Sequence, residues 1–235
     1  MTNKNLLLLL FLTLLFTVPS AKASDLSNIY AVSISWVPEI KVIAFKEEYD
    51  PAISYFDIIK NNKNPNNIDV LFYTHDEDCF EKQLNAKFDK NNIKEETWIN
   101  LESKFAYDKK LAEYAWQIFG VCAGFTEDMY FKKTYEISNK IIENNIYLND
   151  YIGKSMLLGD WLKLFGGKDS AIMYCNYDYD EKQYYFQEII LFWDKAAKKQ
   201  TKIPKADDPQ SIQESTCPRS ELIYLRTPEN VLTSL

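Results

Sequence analysis

The longest apolar run of the chain comes first, over residues 6–18, interrupted only by Thr13 and Thr17. After it the pattern breaks into short blocks. Residues 29–36 (IYAVSISW) are dense in β-branched and aromatic side chains and predict a strand. Residues 61–67 (NNKNPNN) predict an Asn/Pro loop, and residues 68–73 (IDVLFY) a short buried strand. Apolar positions at Leu111, Ala115 and Ile118, with Trp116 beside them, predict a helix over 109–118. Thr126-Glu127-Asp128 has the form of a helix start with acid in the first turn, and the helix is expected to run over 129–144. A further helix is expected over 147–164, stopping at Gly166-Gly167. Residues 171–174 and 184–193 predict a pair of strands, 198–216 a polar surface loop, and 221–225 a last strand before a frayed tail. The order predicts an α+β domain, with several helices packed on an antiparallel sheet.

The leading apolar run reads as an export signal. Lys4 gives a positive start, Pro19 and Ser20 break the run, and Ala21-Lys22-Ala23 has the small-x-small form of a cleavage site. Cleavage is expected after Ala23, so that residues 1–23 are a signal peptide and residues 24–235 a single mature domain. A spanning helix needs about 20 apolar residues, which makes the run short for a retained anchor. The mature protein is expected in the periplasm or outside the cell, with no stable membrane insertion after cleavage.

Charge and cysteines narrow the chemistry. The formal net charge of -7 works against a general grip on nucleic acid, which normally needs a basic face. Lys132-Lys133, Lys195, Lys198-Lys199 and Lys202 form either a local patch or ordinary solvated lysines. Cys79, Cys122, Cys175 and Cys217 are even in number, which in an exported chain favours two disulfides. No two are close in sequence and His75 is the sole histidine, so the spacing of a zinc site is absent, and neither metal nor cofactor is expected. Asp76, Glu77 and Asp78 are a candidate hard-cation cluster or, more simply, an acidic turn. Asp178, Asp180 and Glu181, interleaved with Tyr177 and Tyr179, read as a charged hairpin tip. There is no Gly-rich phosphate loop and no nucleophile elbow.

Several segments, taken in order, resemble the secreted ribonuclease T2 family. Residues 31–38 (AVSISWVP) resemble the family's first strand with its Trp-x-Pro ending, and residues 98–101 (WINL) its Trp-Pro-x-Leu. Residues 111–122 lie over the pattern Phe-Trp-x-His-Glu-Trp-x-Lys-His-Gly-Thr-Cys, matching at Trp116, Gly120 and Cys122. Tyr130-Phe131, the late strands at 171–175 and 188–194, and Thr216-Cys217-Pro218 follow in the family's order. The resemblance covers nearly all of the mature chain. Four cysteines allow three pairings; the resemblance implies Cys79 with Cys122 and Cys175 with Cys217.

Enzymes of this family turn the ribose 2′-OH on the adjacent phosphorus, which requires a general base and a general acid. Imidazole suits both tasks because its pKa of about 6.5 lets it take or give a proton near neutrality. In this chain the family's second-motif His, Glu, Lys and His fall on Tyr114, Ala115, Ile118 and Phe119. Ala115 and Phe119 transfer no protons, Ile118 carries no charge, and a tyrosine with a pKa near 10 is a poor base. The first-motif histidine falls on Leu71 if the strands are matched, or on His75 if Phe-x-x-His is matched at Phe72. His75 is thus a candidate catalytic residue or a surface histidine beside the acidic turn. Trp36, Tyr73 and Tyr114 are candidate base-stacking residues, core packing being the commoner role for Trp36.

Three functions follow as expectations. The resemblance combined with the missing histidines implies an exported, catalytically degenerate ribonuclease T2-like protein that binds single-stranded RNA, nucleotides or a protein. An active endoribonuclease would have to use non-standard residues, His75 with Glu113 or Tyr114. A secreted interaction module with an unidentified protein partner is the third.

Overall fold

The computed structural model describes residues 29–40, 66–72, 79–105, 109–121, 123–143, 148–194, 198–204 and 215–228. Their centre is a mixed sheet. Strand β1 (Ile29–Trp36) pairs antiparallel with β2 (Asn66–Phe72) on one side and with β5 (Gln183–Asp194) on the other. β5 also pairs antiparallel with β4 (Ala171–Asp178). Beyond the end of β1, β5 pairs in parallel with the short β6 (Leu222–Tyr224), which carries β3 (Ser155–Leu157) on its far side. Among the described strands β5–β6 is the one parallel pair in an otherwise antiparallel sheet, so the expected α+β architecture holds with a mixed sheet.

Strand alternation explains why β1 is central. Tyr30, Val32, Ile34 and Trp36 enter the main core, while Ala31 points to a second buried cluster with Ile172, Tyr174, Ile190 and Phe192. Ile203 packs on that second cluster, so the segment after β5 is more than the polar surface loop expected of it. Five helices follow, α1 (Cys79–Asn85), α2 (Glu95–Phe105), α3 (Lys109–Ala115), α4 (Glu127–Glu143) and α5 (Leu158–Leu164), and α2 to α5 supply buried residues to the main core.

Helix α4 begins where its sequence places it. The backbone N–H of Met129 donates to the Thr126 hydroxyl at 3.4 Å, an N-cap. The acids of the first turn reach outward as well. Glu127 accepts from Asn92 Nδ2 at 3.0 Å, and Asp128 accepts from the backbone N–H of Lys94 and from Thr97 Oγ1, both at 3.0 Å. These bonds fasten the start of α2 to the start of α4.

The helix expected over 147–164 is instead a 3-10 turn (Leu148–Tyr151), strand β3 and then α5. Gly153 takes φ +72, a left-handed conformation that interrupts the helix, and its N–H donates to Leu225 O at 2.9 Å. The neighbouring residues then pair with β6 rather than with themselves.

The outer edge of β4 is covered by the segment leading to Cys217. Met173 N donates to Ser215 Oγ at 3.1 Å and Cys175 N to Thr216 Oγ1 at 3.0 Å. The Cys175–Cys217 disulfide fixes this arrangement, as the resemblance implies. Cys122 lies outside the described residues, and with it the expected pairing to Cys79.

Arg226, placed in a frayed tail by the sequence reading, is almost wholly buried. Its carbonyl accepts from Trp36 Nε1 at 2.8 Å. Its guanidinium meets Glu39 through Nε at 2.7 Å, Asp178 through Nη2 at 2.9 Å and Glu181 through Nη1 at 2.8 Å. It also lies over the Tyr185 ring, 3.7 Å from the centroid. The network ties the end of β1, the β4–β5 hairpin and the segment after β6 into one block.

Candidate functional site

The second motif sits on α3 and the turn that follows it. Leu111, Ala112 and Ala115 are the buried face of α3. From Trp116 to Gly120 the chain winds as a π-helix: Val121 N donates to Trp116 O at 2.9 Å, five residues back. This wider turn contains one residue more than the α-helical spacing expected over 109–118. It leaves backbone acceptors for side chains, and two glutamines use or brace them. Gln83 Nε2 donates to Ile118 O at 2.9 Å, and Gln117 Nε2 donates to Ala86 O at 3.2 Å. Wide turns of this kind recur at functional sites.

The frame residues have clear physical tasks. Trp116 is buried, donates its indole N–H to Phe125 O at 3.2 Å and packs on Phe88. Gly120 has no room for a side chain. A Cβ there would stand 2.7 Å from Trp116 Cδ1 and 3.0 Å from the Tyr130 ring. The turn packs against β2 and α4. β2 ends with Phe72 opposite Tyr30. This puts the second motif beside the strand that leads to the first, the juxtaposition a two-motif cleft requires. Tyr73 and His75 follow Phe72 and lie outside the described residues.

Where the resemblance places the family's His, Glu, Lys and His, this chain has Tyr114, Ala115, Ile118 and Phe119, none of them a histidine, acid or lysine. Ala115 is fully buried in the main core. Phe119 is half-buried and packs on that core, and Ile118 is half-buried with its carbonyl held by Gln83. Tyr114 and Glu113 are half-buried on α3. Trp36, the other candidate for stacking, is 0% exposed. Its ring has no open face for a base, and its indole N–H is spent on Arg226; the core role prevails.

Polar chemistry near this end of the sheet comes from residues the sequence did not single out together. Tyr30, at the Phe72 end of β1, is held above the usual tyrosine range by burial, with Lys133 acting against that rise and Glu136 adding to it. Lys133 and Glu136, one turn apart on α4, pair at 3.3 Å. Tyr30 therefore stays a neutral phenol. Spacing on α4 would have joined Lys133 to Glu136, but their proximity to Tyr30 depends on the tertiary fold. Among the described residues no group of acidic, histidine or cysteine side chains is arranged to hold a metal ion.

No family model and no curated protein matches the sequence. The fold, however, is that of known ribonucleases, in agreement with the ribonuclease T2 resemblance. The structure superimposes on ribonuclease MC1 from bitter gourd seeds with a TM-score of 0.55 at 15% identity, covering 84% of this chain and 100% of that one. RNase NT in complex with 5'-AMP matches with a TM-score of 0.54 at 14% identity, covering 85% of this chain and 98% of that one. The self-incompatibility-associated SF11-RNase of Nicotiana alata matches at 0.51 and 12% identity, with 85% and 98% covered. At these identities the likeness is one of fold. No helix among the described residues is long and apolar enough to cross a membrane.

Proposed function

We propose that this chain is an exported protein on a ribonuclease T2 scaffold that has lost catalysis and acts by binding single-stranded RNA or nucleotides. Residues 1–23 are its cleaved signal peptide and residues 24–235 its single domain. The observation that carries the reading is the carbon filling of the second motif. Ala115 lies in the core, and Ile118 and Phe119 are half-buried where the resemblance calls for titrating or charged groups. An attack by the 2′-OH needs one group to accept a proton and another to release one. Each such group is worth about 10²–10⁴-fold, and a lost charge-stabilising donor costs about 10²–10³-fold more.

The ligand class is argued from the scaffold. Solved structures of ribonuclease MC1 variants hold 5'-UMP and 5'-GMP, and that of RNase NT holds 5'-AMP. In this chain Tyr73 and Tyr114 would supply aromatic faces and Lys133 a cation. Aromatic stacking tolerates any base, while the acidic chain limits phosphate contacts, so binding is weak and its salt dependence shallow.

The test is to incubate the mature, disulfide-intact protein with single-stranded RNA from about pH 4 to 8, a range that brackets the titration of imidazole near 6.5. An active family member serves as control. A labelled oligonucleotide reports binding by anisotropy. The expected result is no cleavage above a mock preparation together with saturable binding at low salt. Cleavage that disappears in His75→Ala would replace this reading with a non-standard active enzyme. Absence of both cleavage and binding would point to a protein partner.

A further inference from the structure

Arg226 faces more carboxylates than it can neutralise. One guanidinium and three carboxylates give +1 − 3 = −2 if all are ionised, and Arg226, Glu39 and Asp178 are almost completely enclosed. The carboxylates differ in what stabilises their charge. Asp178 has Arg226 Nη2 on Oδ2, and the backbone N–H groups of Asp180 and Glu181 on Oδ1 at 3.1 and 3.3 Å. Glu181 is partly open to solvent and accepts from Arg226, from Gln183 Nε2 at 2.8 Å and from the Tyr185 hydroxyl. Glu39 is 0% exposed, and its donors among the described residues are Arg226 Nε on Oε2 and Asn176 Nδ2 on Oε1 at 2.8 Å. It is the most buried acid with the fewest donors, so it is where a proton relieves the cluster most.

We propose that Glu39 and Asn176 form a proton-storing pair: on acidification Glu39 takes a proton from solvent onto Oε1, and the new O–H donates a hydrogen bond to Asn176 Oδ1, the amide having turned over, while Asp178 and Glu181 keep Arg226 in place. An amide offers an acceptor or a donor at nearly the same position, according to which way it is turned. The turned amide satisfies the new O–H, and Arg226 Nε still donates to Oε2. The O–H bond formed on Glu39 replaces one broken in the solvent proton donor, and the charge of the cluster falls from −2 to −1.

The surroundings agree. Burial pushes Glu39 up from the usual glutamate value; Arg226 and the Asn176 hydrogen bond oppose this but do not cancel it, and Asp178 adds to the rise. Glu181 moves the other way: burial raises it, but hydrogen bonds from Tyr185, Arg226 and Gln183 outweigh burial and hold it low. Tyr185 is pushed above its usual range by burial and by Glu181, and stays neutral. Asp180 and Lys182 of the hairpin turn are exposed.

The consequence is a brace that tightens with acid. An acid whose folded pKa is raised contributes stability that is fully present below its unfolded pKa and is lost as pH rises through the folded value. Glu39 therefore favours the folded state as pH falls through its raised folded pKa toward its unfolded one. Glu181 does the reverse, its contribution being present above its unfolded pKa and lost as pH falls through its lower folded value.

Two measurements test this. Carboxyl-carbon NMR of glutamate-labelled protein, assigned through the backbone, follows Glu39 directly and needs no variant. The expected midpoint lies above that of an ordinary glutamate, about 4.3, and a Glu39 midpoint at or below that value overturns the proposal. Urea unfolding of wild type and Glu39→Gln over the same range tests the linkage. The folding constant of the wild type is expected to fall relative to the variant as pH rises, by up to about tenfold per unit between the unfolded and folded pKa values. A ratio that does not change with pH overturns it.

Discussion

The indole N–H of Trp36 donates to the carbonyl oxygen of Arg226 at 2.8 Å, while the side chain of the same arginine reaches Glu39, three residues beyond Trp36. The end of β1 thus grips one residue of the C-terminal segment by both its backbone and its side chain. Parallel pairing of β6 with β5 involves only Tyr184 and Tyr185 of β5. So short a ladder is a weak attachment, and Arg226 supplies what it lacks.

Replacing Arg226 by methionine is therefore expected to destabilise the fold by about 3–5 kcal/mol, the usual cost of removing one partner from a buried ion pair. Asp178 would stay enclosed without its cation. Urea unfolding at neutral pH measures the loss. Replacing the buried partners along with it, as Arg226→Met, Glu39→Met and Asp178→Asn, is expected to recover most of that stability, since the one carboxylate left of the cluster, Glu181, is partly open to solvent. A single variant as stable as wild type would mean the cluster is not what holds the C-terminal segment.

How much of this was legible in the sequence differs from element to element. β1 was readable because alternate residues at 30, 32, 34 and 36 are large and apolar and all four enter one core. The stretch at 147–164 was not. Leu148, Leu158, Trp161 and Leu162 are all buried, but the segment turns at Gly153 to pair with a strand some 70 residues later, which local periodicity does not encode. Arg226 looked like a tail residue for the same reason, with its partners Glu39 and Asp178 at separations of 187 and 48. At the candidate site, residue identities alone revealed the missing histidines. That Ala115 lies deep in the core, and that the turn is a π-helix, needed coordinates.

Gly120 makes a sharp case of frame without chemistry. Gly120→Ala would press a methyl group 2.7 Å from Trp116 Cδ1 and 3.0 Å from the Tyr130 ring. Both rings are buried, and Trp116 is anchored to Phe125 O, so neither is free to withdraw. Overpacking of this kind costs about 1–3 kcal/mol. Thermal unfolding of the variant should show the loss, with Trp116 fluorescence shifted at native temperature. An unshifted spectrum and an unchanged midpoint would show that the turn yields easily.

The Cys175–Cys217 bridge closes a loop with a sequence separation of 42. By chain entropy such a loop is worth about 4 kcal/mol. Paired Cys175→Ala and Cys217→Ala substitutions are expected to lose much of that. The segment covering the outer edge of β4 should loosen first, because its hydrogen bonds from Met173 and Cys175 run to Ser215 and Thr216 beside the bridge. Hydrogen exchange would register this as early loss of protection at Met173 and Cys175. Uniform loss across the sheet would instead mean that the bridge acts only through the unfolded chain.

The proposed loss of catalysis is best tested by trying to reverse it. Tyr114→His with Phe119→His restores imidazoles at the two second-motif positions where the resemblance expects them, on a turn still fixed by Gly120, Trp116 and Gln83. The Phe119 substitution removes a ring packed on the main core. Loss of a buried aromatic costs about 3–5 kcal/mol in the extreme of truncation to alanine, and imidazole retains part of that packing. The double variant should therefore be less stable yet folded. It is expected to cleave single-stranded RNA weakly, with a bell-shaped pH profile, because a base and an acid are then both available. Each single variant should fall short of it by about 10²-fold or more, the contribution of one general acid or base. If the wild-type protein already cleaves RNA as fast as the double variant, the carbon-filled motif is not the seat of catalysis, and the search for the active residues moves to His75.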